Sequence, residues 1–297
     1  MPKLDLTEYA RQLALQNGRQ AMLPVIEKEL LHYEILSALE KGNLLSGLVF
    51  QGGTCLRLCY GANRYSEDLD FTGGTSFNSS ALENLKGCIE NALPEKYLVD
   101  VRVQEPSTGS LVSRWRIVVS TAPQRPDLPM QRISLEVAAV PSYSRQPRML
   151  QLNYEGLLAS YADTIVYAES LEEILADKLE SFACSPHLRY RDIWDMHWLA
   201  RMPHIDLNTA YDFRKRKEAD YHEADVFSRG VERVCQQMSM IVEGEEFQNQ
   251  MQRFLPVDLY EKTILRQSFR EVLIETIMGL YEGIRPGDEC VSRGRVI

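Results

Sequence analysis

The stretch FQGGTCLRLCYGANRYSEDLDF, Phe50 to Phe71, constrains the fold more than any other part of the chain. Leu48-Val49-Phe50 has the apolar character of a short buried strand, and the Gly52-Gly53 pair follows almost at once. Thr54 to Tyr60 then has the spacing of a helical turn or two, and Leu69 to Thr72 reads as the next strand. A strand, a double glycine, a helix and a strand leave few arrangements, all with a glycine turn at one end of a sheet and the first N–H groups of a helix exposed there. Those groups and the helix dipole favour an anion. Thr54, read as the N-cap, adds a hydroxyl, and the missing β-carbons at Gly52 and Gly53 let a phosphate approach the backbone. A plain tight turn would use the same residues.

Side chains alternate along a strand, so Asp68 and Asp70 share a face while Leu69 points to the core. Two carboxylates about 7 Å apart repel unless a cation lies between them, and oxygen donors of this kind suit Mg²⁺. Alone, such a triplet is also what a solvent-facing strand end looks like. Next to Gly-Gly-Thr it sets a triphosphate cradle beside a metal site, as nucleotidyl transfer requires.

Around this unit the chain is α/β in its first half and helical in its second. Residues 8–41 carry helical apolar spacing interrupted at Pro24 and closed by Gly42, which predicts two helices. Asn78-Ser79-Ser80 caps a predicted helix running to about Ala92. Lys96 to Gln104, Val112 to Ser120 and Gln131 to Val140 read as strands, with Pro106 and Gly109 in the turn between the first two. After about Pro147 strand signals fade, apart from Thr164 to Tyr167. Ser170 with Glu173 forms a capping box for a helix through Ala183. Further helices are expected at about 189–201, 206–221, 222–241 and 258–282, the last ended by Gly283 and Pro286, with a poorly ordered tail from Pro286 to Ile297.

Composition narrows the class. The 297 residues are 44% hydrophobic and 25% charged, which is ordinary for a globular protein. Charged residues interrupt the N-terminal apolar stretch, and no uncharged apolar run approaches a membrane span, so a cytoplasmic protein with no membrane association is expected. The six cysteines (55, 59, 88, 184, 235 and 290) contain no C-x-x-C pair, and the five histidines (32, 187, 197, 204 and 222) show no ligand spacing; a thiolate or histidine metal site is not expected. The net charge of −9 does not describe a nucleic-acid binder as a whole. Locally, Arg114, Arg116, Arg125, Arg132, Arg145 and Arg148 cluster, and Arg214-Lys215-Arg216-Lys217 forms a basic run readable as a solvated helix face or as a phosphate-contacting patch.

The Phe50 to Phe71 run closely resembles the signature of the AbiEii/AbiGii toxin family of nucleotidyltransferases, within the DNA polymerase β-like superfamily. The apolar strand, Gly-Gly-Thr turn, Leu-Arg helix and Arg-aromatic-Ser-x-Asp-Leu-Asp-Phe strand all have counterparts here. LEEILADKLESFACSPHLRYRDIWDMHWL, Leu171 to Leu199, is similar to the family's second block, Ala-x-Lys-Leu followed by Arg-Asp-x-x-Asp and an apolar helix. The likeness covers roughly residues 45–200. It implies an α+β fold, with a polymerase β-like nucleotidyltransferase core of mixed sheet and flanking helices followed by a mainly helical C-terminal domain. The expected division is 1–160 for the core with its N-terminal helices and 161–297 for the helical domain contributing Lys178 and Asp192/Asp195.

The resemblance further implies a Mg²⁺-dependent transfer of NMP from an NTP to an acceptor hydroxyl, most readily on tRNA, by the toxin of a toxin–antitoxin pair with an antitoxin protein as partner. Asp68 and Asp70 would hold the metal. Glu136, on the predicted strand face of Arg132 and Ser134, is the expected third ligand or base, with an ion pair to Arg132 or Arg116 as the competing role. Lys178 lies at the edge of its helix's apolar stripe and would contact phosphate. Asp192 and Asp195, spaced i, i+3, neighbour each other; whether each is catalytic or orients Lys178 or an arginine is open. Gly52, Gly53, Thr54 and Arg57 are the expected phosphate binders; Arg57 and Arg64 could equally pair with a nearby acid. Family members commonly carry Lys before Gly-Gly-Thr, where this chain has Gln51 and so lacks a point charge near the phosphates. A nucleotide- or partner-binding module and a protein NMP-transferase share the same fold expectations.

Overall fold

The computed structural model describes residues 3–107, 110–124, 127, 129–221 and 224–284. Gly109, Arg125, His222, Pro286 to Ile297 and hence Cys290 lie outside the described residues.

Two helices open the chain as the break at Pro24 predicts. Helix α1 (Leu6–Gln16) is capped by Asp5, which accepts from the Glu8 N–H, and α2 (Leu23–Lys41) starts with Pro24 in its first turn. Helix α2 is buried all round, so the charged groups it carries inside must be partnered. Glu29 pairs with Arg57, Glu34 with Lys96, and the His32 ring nitrogen with the Glu67 carbonyl.

Strand β1 (Val49–Gln51) passes directly into α3 (Gly52–Tyr60), and β2 (Leu69–Thr72) returns antiparallel beside β1. After α4 (Leu85–Lys96) come β3 (Asp100–Gln104), β4 (Val112–Ser120) and β5 (Gln131–Ala138), an antiparallel meander close to the three strands expected. Two further strands follow, β6 (Gln146–Met149) and β7 (Ile165–Ala168). The seven strands form one mixed sheet in the order β3-β4-β5-β2-β1-β7-β6, with β2/β5 and β1/β7 parallel. Strand β6 escaped the sequence reading because it contains Pro147; a proline is tolerated here because β6 is an edge strand. Through β7 the sheet continues past residue 160.

The inward residues of the sheet, including Phe50, Phe71, Trp115, Ile117, Leu135 and Val137, join α2 and α4 in one apolar core. The second half is helical: α5 (Leu171–Cys184), α6 (Tyr190–Ala200), α7 (Leu207–Tyr221), α8 (Ala224–Glu243), α9 (Glu245–Phe254), α10 (Val257–Lys262) and α11 (Gln267–Glu282). Ser170 caps α5 as predicted, accepting from the Glu173 N–H. The single helix expected at 258–282 is in fact two, broken at Thr263, and α9 was not foreseen. Among the described residues no helix is long and apolar enough to cross a membrane.

Candidate active site

Sheet register sets four polar side chains in one row. Gln51 lies opposite Asp70, Asp70 opposite Glu136, and Glu136 opposite Arg114. Leu69 and Phe71 are buried on the other face, so the alternation that puts Asp70 outward is the one the sequence predicts. Asp68 sits just before β2, and its Oδ1 accepts from the Ser134 N–H at 3.2 Å. Arg114 Nε reaches Glu136 Oε1 at 2.7 Å, so the partner of Glu136 is neither Arg132 nor Arg116, which the sequence had suggested, but the residue directly across the ladder.

The glycine turn is used differently from the expectation. Helix α3 begins at Gly52, with Gln51 as its N-cap, so Thr54 lies inside the first turn and is not the N-cap. The buried Thr54 hydroxyl donates to the Asp68 carbonyl and ties α3 to the acidic strand. Gly52 has φ +77°, and a β-carbon there would meet Asp70 Oδ2 at 2.7 Å. A β-carbon on Gly53 would collide with Arg64 Nη2. The space freed by the two glycines is thus taken up by a carboxylate and a guanidinium. Arg57 is not brought to this group. It is buried on the core side, with Nε donating to both Glu29 oxygens at 3.1 and 3.2 Å and Nη1 to the Ala62 carbonyl at 3.1 Å.

The facing wall comes from α5 and α6. Lys178 is buried, with Nζ 2.6 Å from Asp192 Oδ1 and 3.0 Å from Asp195 Oδ2. Asp195 also takes a bidentate pair from Arg64, and Asp192 takes Arg189 Nε. The i, i+3 spacing of the two aspartates on α6 lets both reach one ammonium. Burial alone would raise both carboxyls; Lys178 with Arg189 holds Asp192 well below the usual range, and Arg64 with Lys178 depresses Asp195. These acids stay ionised and fix the cations. Arg189, three residues before Asp192, went unremarked in the sequence, although Arg-x-x-Asp at a helix start is a recognisable pairing distance.

Between the walls lies a cleft of about 450 Å³, lined by Gln51, Gly52, Asp70 and Glu136 on the sheet side and by Asp177, Lys178 and Arg189 on the helical side. Asp70 is pushed up to about 6 by burial and then by the charges of Asp68 and Glu136, against the pull of Lys178 and Arg189. Crowded carboxylates with a strained charge state are what a divalent cation relieves, and hard oxygen donors are what Mg²⁺ takes, so the donor chemistry fits that ion. Among the described residues, however, no three Asp, Glu, His or Cys side chains already converge as a metal-holding group. Asp68 is engaged by Ser134 and Glu136 by Arg114.

The basic clusters divide by location. Arg214 is buried against Glu180 and Glu218, and Lys217 is fully buried among Glu169, Glu173 and Asp177, so half of the basic run is structural. Arg216 stacks on the Tyr143 ring, and Arg145 and Arg148 stack on Tyr167 and Tyr60.

A mixed sheet whose inner strands β2 and β5 carry carboxylates that face pinned cations across a cleft can seat a phosphate chain between them, and a solved nucleotidyltransferase shares its fold. A solved structure of MenT4, a nucleotidyltransferase toxin from Mycobacterium tuberculosis H37Rv, matches over 94% of this chain and 99% of its own, at 17% identity and a TM-score of 0.52. A putative nucleotidyltransferase from H. pylori matches over 89% of this chain and 98% of its own, at 21% identity and a TM-score of 0.49. No curated protein matches the sequence. The family model of the nucleotidyl transferase AbiEii toxin of type IV toxin–antitoxin systems matches residues 34–275, and the chain belongs to that family.

Proposed function

We propose that this nucleotidyltransferase moves a nucleoside monophosphate from an NTP to an acceptor hydroxyl on tRNA, and that it inhibits growth when its antitoxin is absent. The observation that carries the reading is the opposition, across one cleft, of Asp70 and Glu136 to Lys178 and Arg189. A polyphosphate laid between them meets cations on one side and carboxylates on the other. Those carboxylates repel it unless a divalent cation intervenes.

Asp68, Asp70 and Glu136 are the residues that would hold Mg²⁺, which when bound neutralises phosphate charge. The first N–H groups of α3, at Gly52 and Gly53, and the Lys178 ammonium bind phosphate oxygens. Asp192 and Asp195 hold Lys178 and, through Arg189 and Arg64, the second layer of cations in register with it. The acceptor hydroxyl attacks the α-phosphorus in line and pyrophosphate leaves; Glu136, which lines the cleft, serves either as the third metal ligand or as the base that takes the hydroxyl proton.

Incubation with Mg²⁺, each labelled NTP and bulk tRNA tests this directly. Label is expected on RNA, with loss of at least a hundredfold in Asp70→Asn. Label on protein alone would make the acceptor a protein hydroxyl. Bound nucleotide with no transfer under any condition would make the chain a binding module, the alternative that Gln51 keeps open.

A further inference from the structure

Strand register carries the polar row of the cleft outward onto an uncovered sheet face. Along β4 the side chains of Ser113, Trp115, Ile117 and Val119 are buried, while Arg114 and Arg116 are exposed. On β5 Arg132 is exposed and Ile133 and Leu135 are buried, and on β3 Arg102 and Gln104 are exposed. Pairing sorts these outward residues into three rows. Arg114, Glu136, Asp70 and Gln51 form the cleft row. One step out lie Gln104, Arg116 and Ser134, and a step further Arg102, Val118 and Arg132. Successive rows are about 7 Å apart, the rise of two strand residues.

Four arginines therefore stand on one face within two steps of Asp70. Only Arg114 is committed to a described carboxylate, Glu136. The other outward groups here are Gln104, Ser134 and Val118; Asp68 lies beside Ser134 at the cleft end of the face, and Asp100 stands at the far end of β3. In a chain of net charge −9, this is a local concentration of the opposite sign on a flat surface continuous with the cleft. Guanidinium forks spaced along a sheet, flanked by amide and hydroxyl donors, suit successive phosphates.

We propose that the outer face of β3, β4 and β5 is the platform on which the RNA acceptor lies, with Arg102, Arg116 and Arg132 contacting its phosphates and Arg114 marking the entry to the cleft. The proposal rests on the reading of an RNA acceptor given above. It assigns substrate binding to residues outside the nucleotide site, so the two fail separately.

The test is binding of labelled bulk bacterial tRNA, and of a short single-stranded RNA and its DNA counterpart, without NTP or Mg²⁺, at stepped salt concentrations. In the variant Arg102→Gln/Arg116→Gln/Arg132→Gln, RNA affinity is expected to fall at least tenfold, and the slope of log K against log salt to shrink by about 2, from ~0.7 per lost phosphate contact. The all-lysine variant should regain much of the affinity, and Arg11→Gln/Lys262→Gln, which removes exposed charges from α1 and α10, should leave it unchanged. Mant-labelled NTP binding with Mg²⁺, measured alongside, should be the same in wild type and variant, which also shows that the variant is folded. Wild-type RNA affinity that the triple substitution leaves intact overturns the platform, as does a preference for the DNA strand or absence of RNA binding at low salt. If NTP binding and label transfer persist in those cases, the transferase reading survives with a different acceptor or acceptor route. If the platform binds RNA as expected but no label is transferred from any NTP, it is the transferase reading that fails.

Discussion

The carboxylate of Asp70 packs onto the backbone of Gly52: a β-carbon added to Gly52 would lie 2.7 Å from Asp70 Oδ2. The glycine is therefore required twice, by its φ of +77° and by the acid that occupies its missing side chain. Gly52→Ala is expected to cost about 1–2 kcal/mol for the left-handed backbone, and further for moving Asp70. Activity should fall far more than stability, because the displaced carboxylate is the one at the centre of the cleft row. Thermal melts and transfer rates on the same preparation check this, and an active Gly52→Ala enzyme would show that Asp70 need not stay where it is.

Asp70 is ionised at neutral pH against the charges of Asp68 and Glu136, and a cation removes that cost. In EDTA at pH 7.5, Asp70→Asn should melt above wild type. Added Mg²⁺ should raise the wild-type Tm and leave that of the variant nearly unchanged. Equal Mg²⁺ responses in the two proteins would remove Asp70 from the metal-holding set.

Much of this site could be read from the chain, and the exceptions have a common cause. Alternation along Asp68-Leu69-Asp70 and the Gly-Gly pair are local signals, visible within a few residues. The family blocks likewise brought Lys178, Asp192 and Asp195 forward, and the structure puts the three in contact. What the chain concealed was which cation meets which acid. Arg57, beside the glycines in sequence, turns to Glu29 in the core, whereas Arg64 crosses to Asp195 on a helix far along the chain. Spacing does not encode pairings of that separation. Lys217 shows the same limit: in the basic run it looks solvated, yet its i, i+3 relation to Arg214 marks the buried face of α7.

Lys178, Asp192, Asp195, Arg64 and Arg189 act as one buried network, so deletions within it should not add. Lys178→Met leaves two buried carboxylates short of a partner and is expected to destabilise by about 3–5 kcal/mol, with transfer lost. Arg64→Ala and Asp195→Ala should each be costly, and the double variant should cost well under their sum. A sum within about 0.5 kcal/mol of additivity would show that the bidentate pair is energetically idle.

His32 supplies a pH dependence outside the cleft. It is buried on α2, bonded to the Glu67 carbonyl, and burial lowers it from 6.5 to about 4. A base whose pKa is lower in the folded than in the unfolded state contributes stability that is complete above pH 6.5 and is lost as pH falls towards 4. The full shift corresponds to about 3 kcal/mol. Urea unfolding of wild type and His32→Gln across pH 4 to 7 should show the gap between them narrowing on the acid side. A gap that stays constant over that range would exclude this titration as a source of acid lability.

Gln51 stands where the resemblance to the family leads one to expect a lysine. It lies opposite Asp70 in the ladder and lines the cleft, so a side chain there reaches the same space as the phosphates. Lysine at this point would add a mobile ammonium beside Asp70, drawing the carboxyl down and meeting triphosphate oxygens that Gln51 can address only as a neutral donor. Gln51→Lys is therefore expected to lower the KM for the NTP by about tenfold, an interaction of ~1.4 kcal/mol, with kcat changed by no more than a few-fold, since the contact is made equally in ground and transition states. A kcat that rises with KM unchanged would place residue 51 against charge that develops only during transfer, and would move it from the binding of the nucleotide to the chemistry at its α-phosphorus.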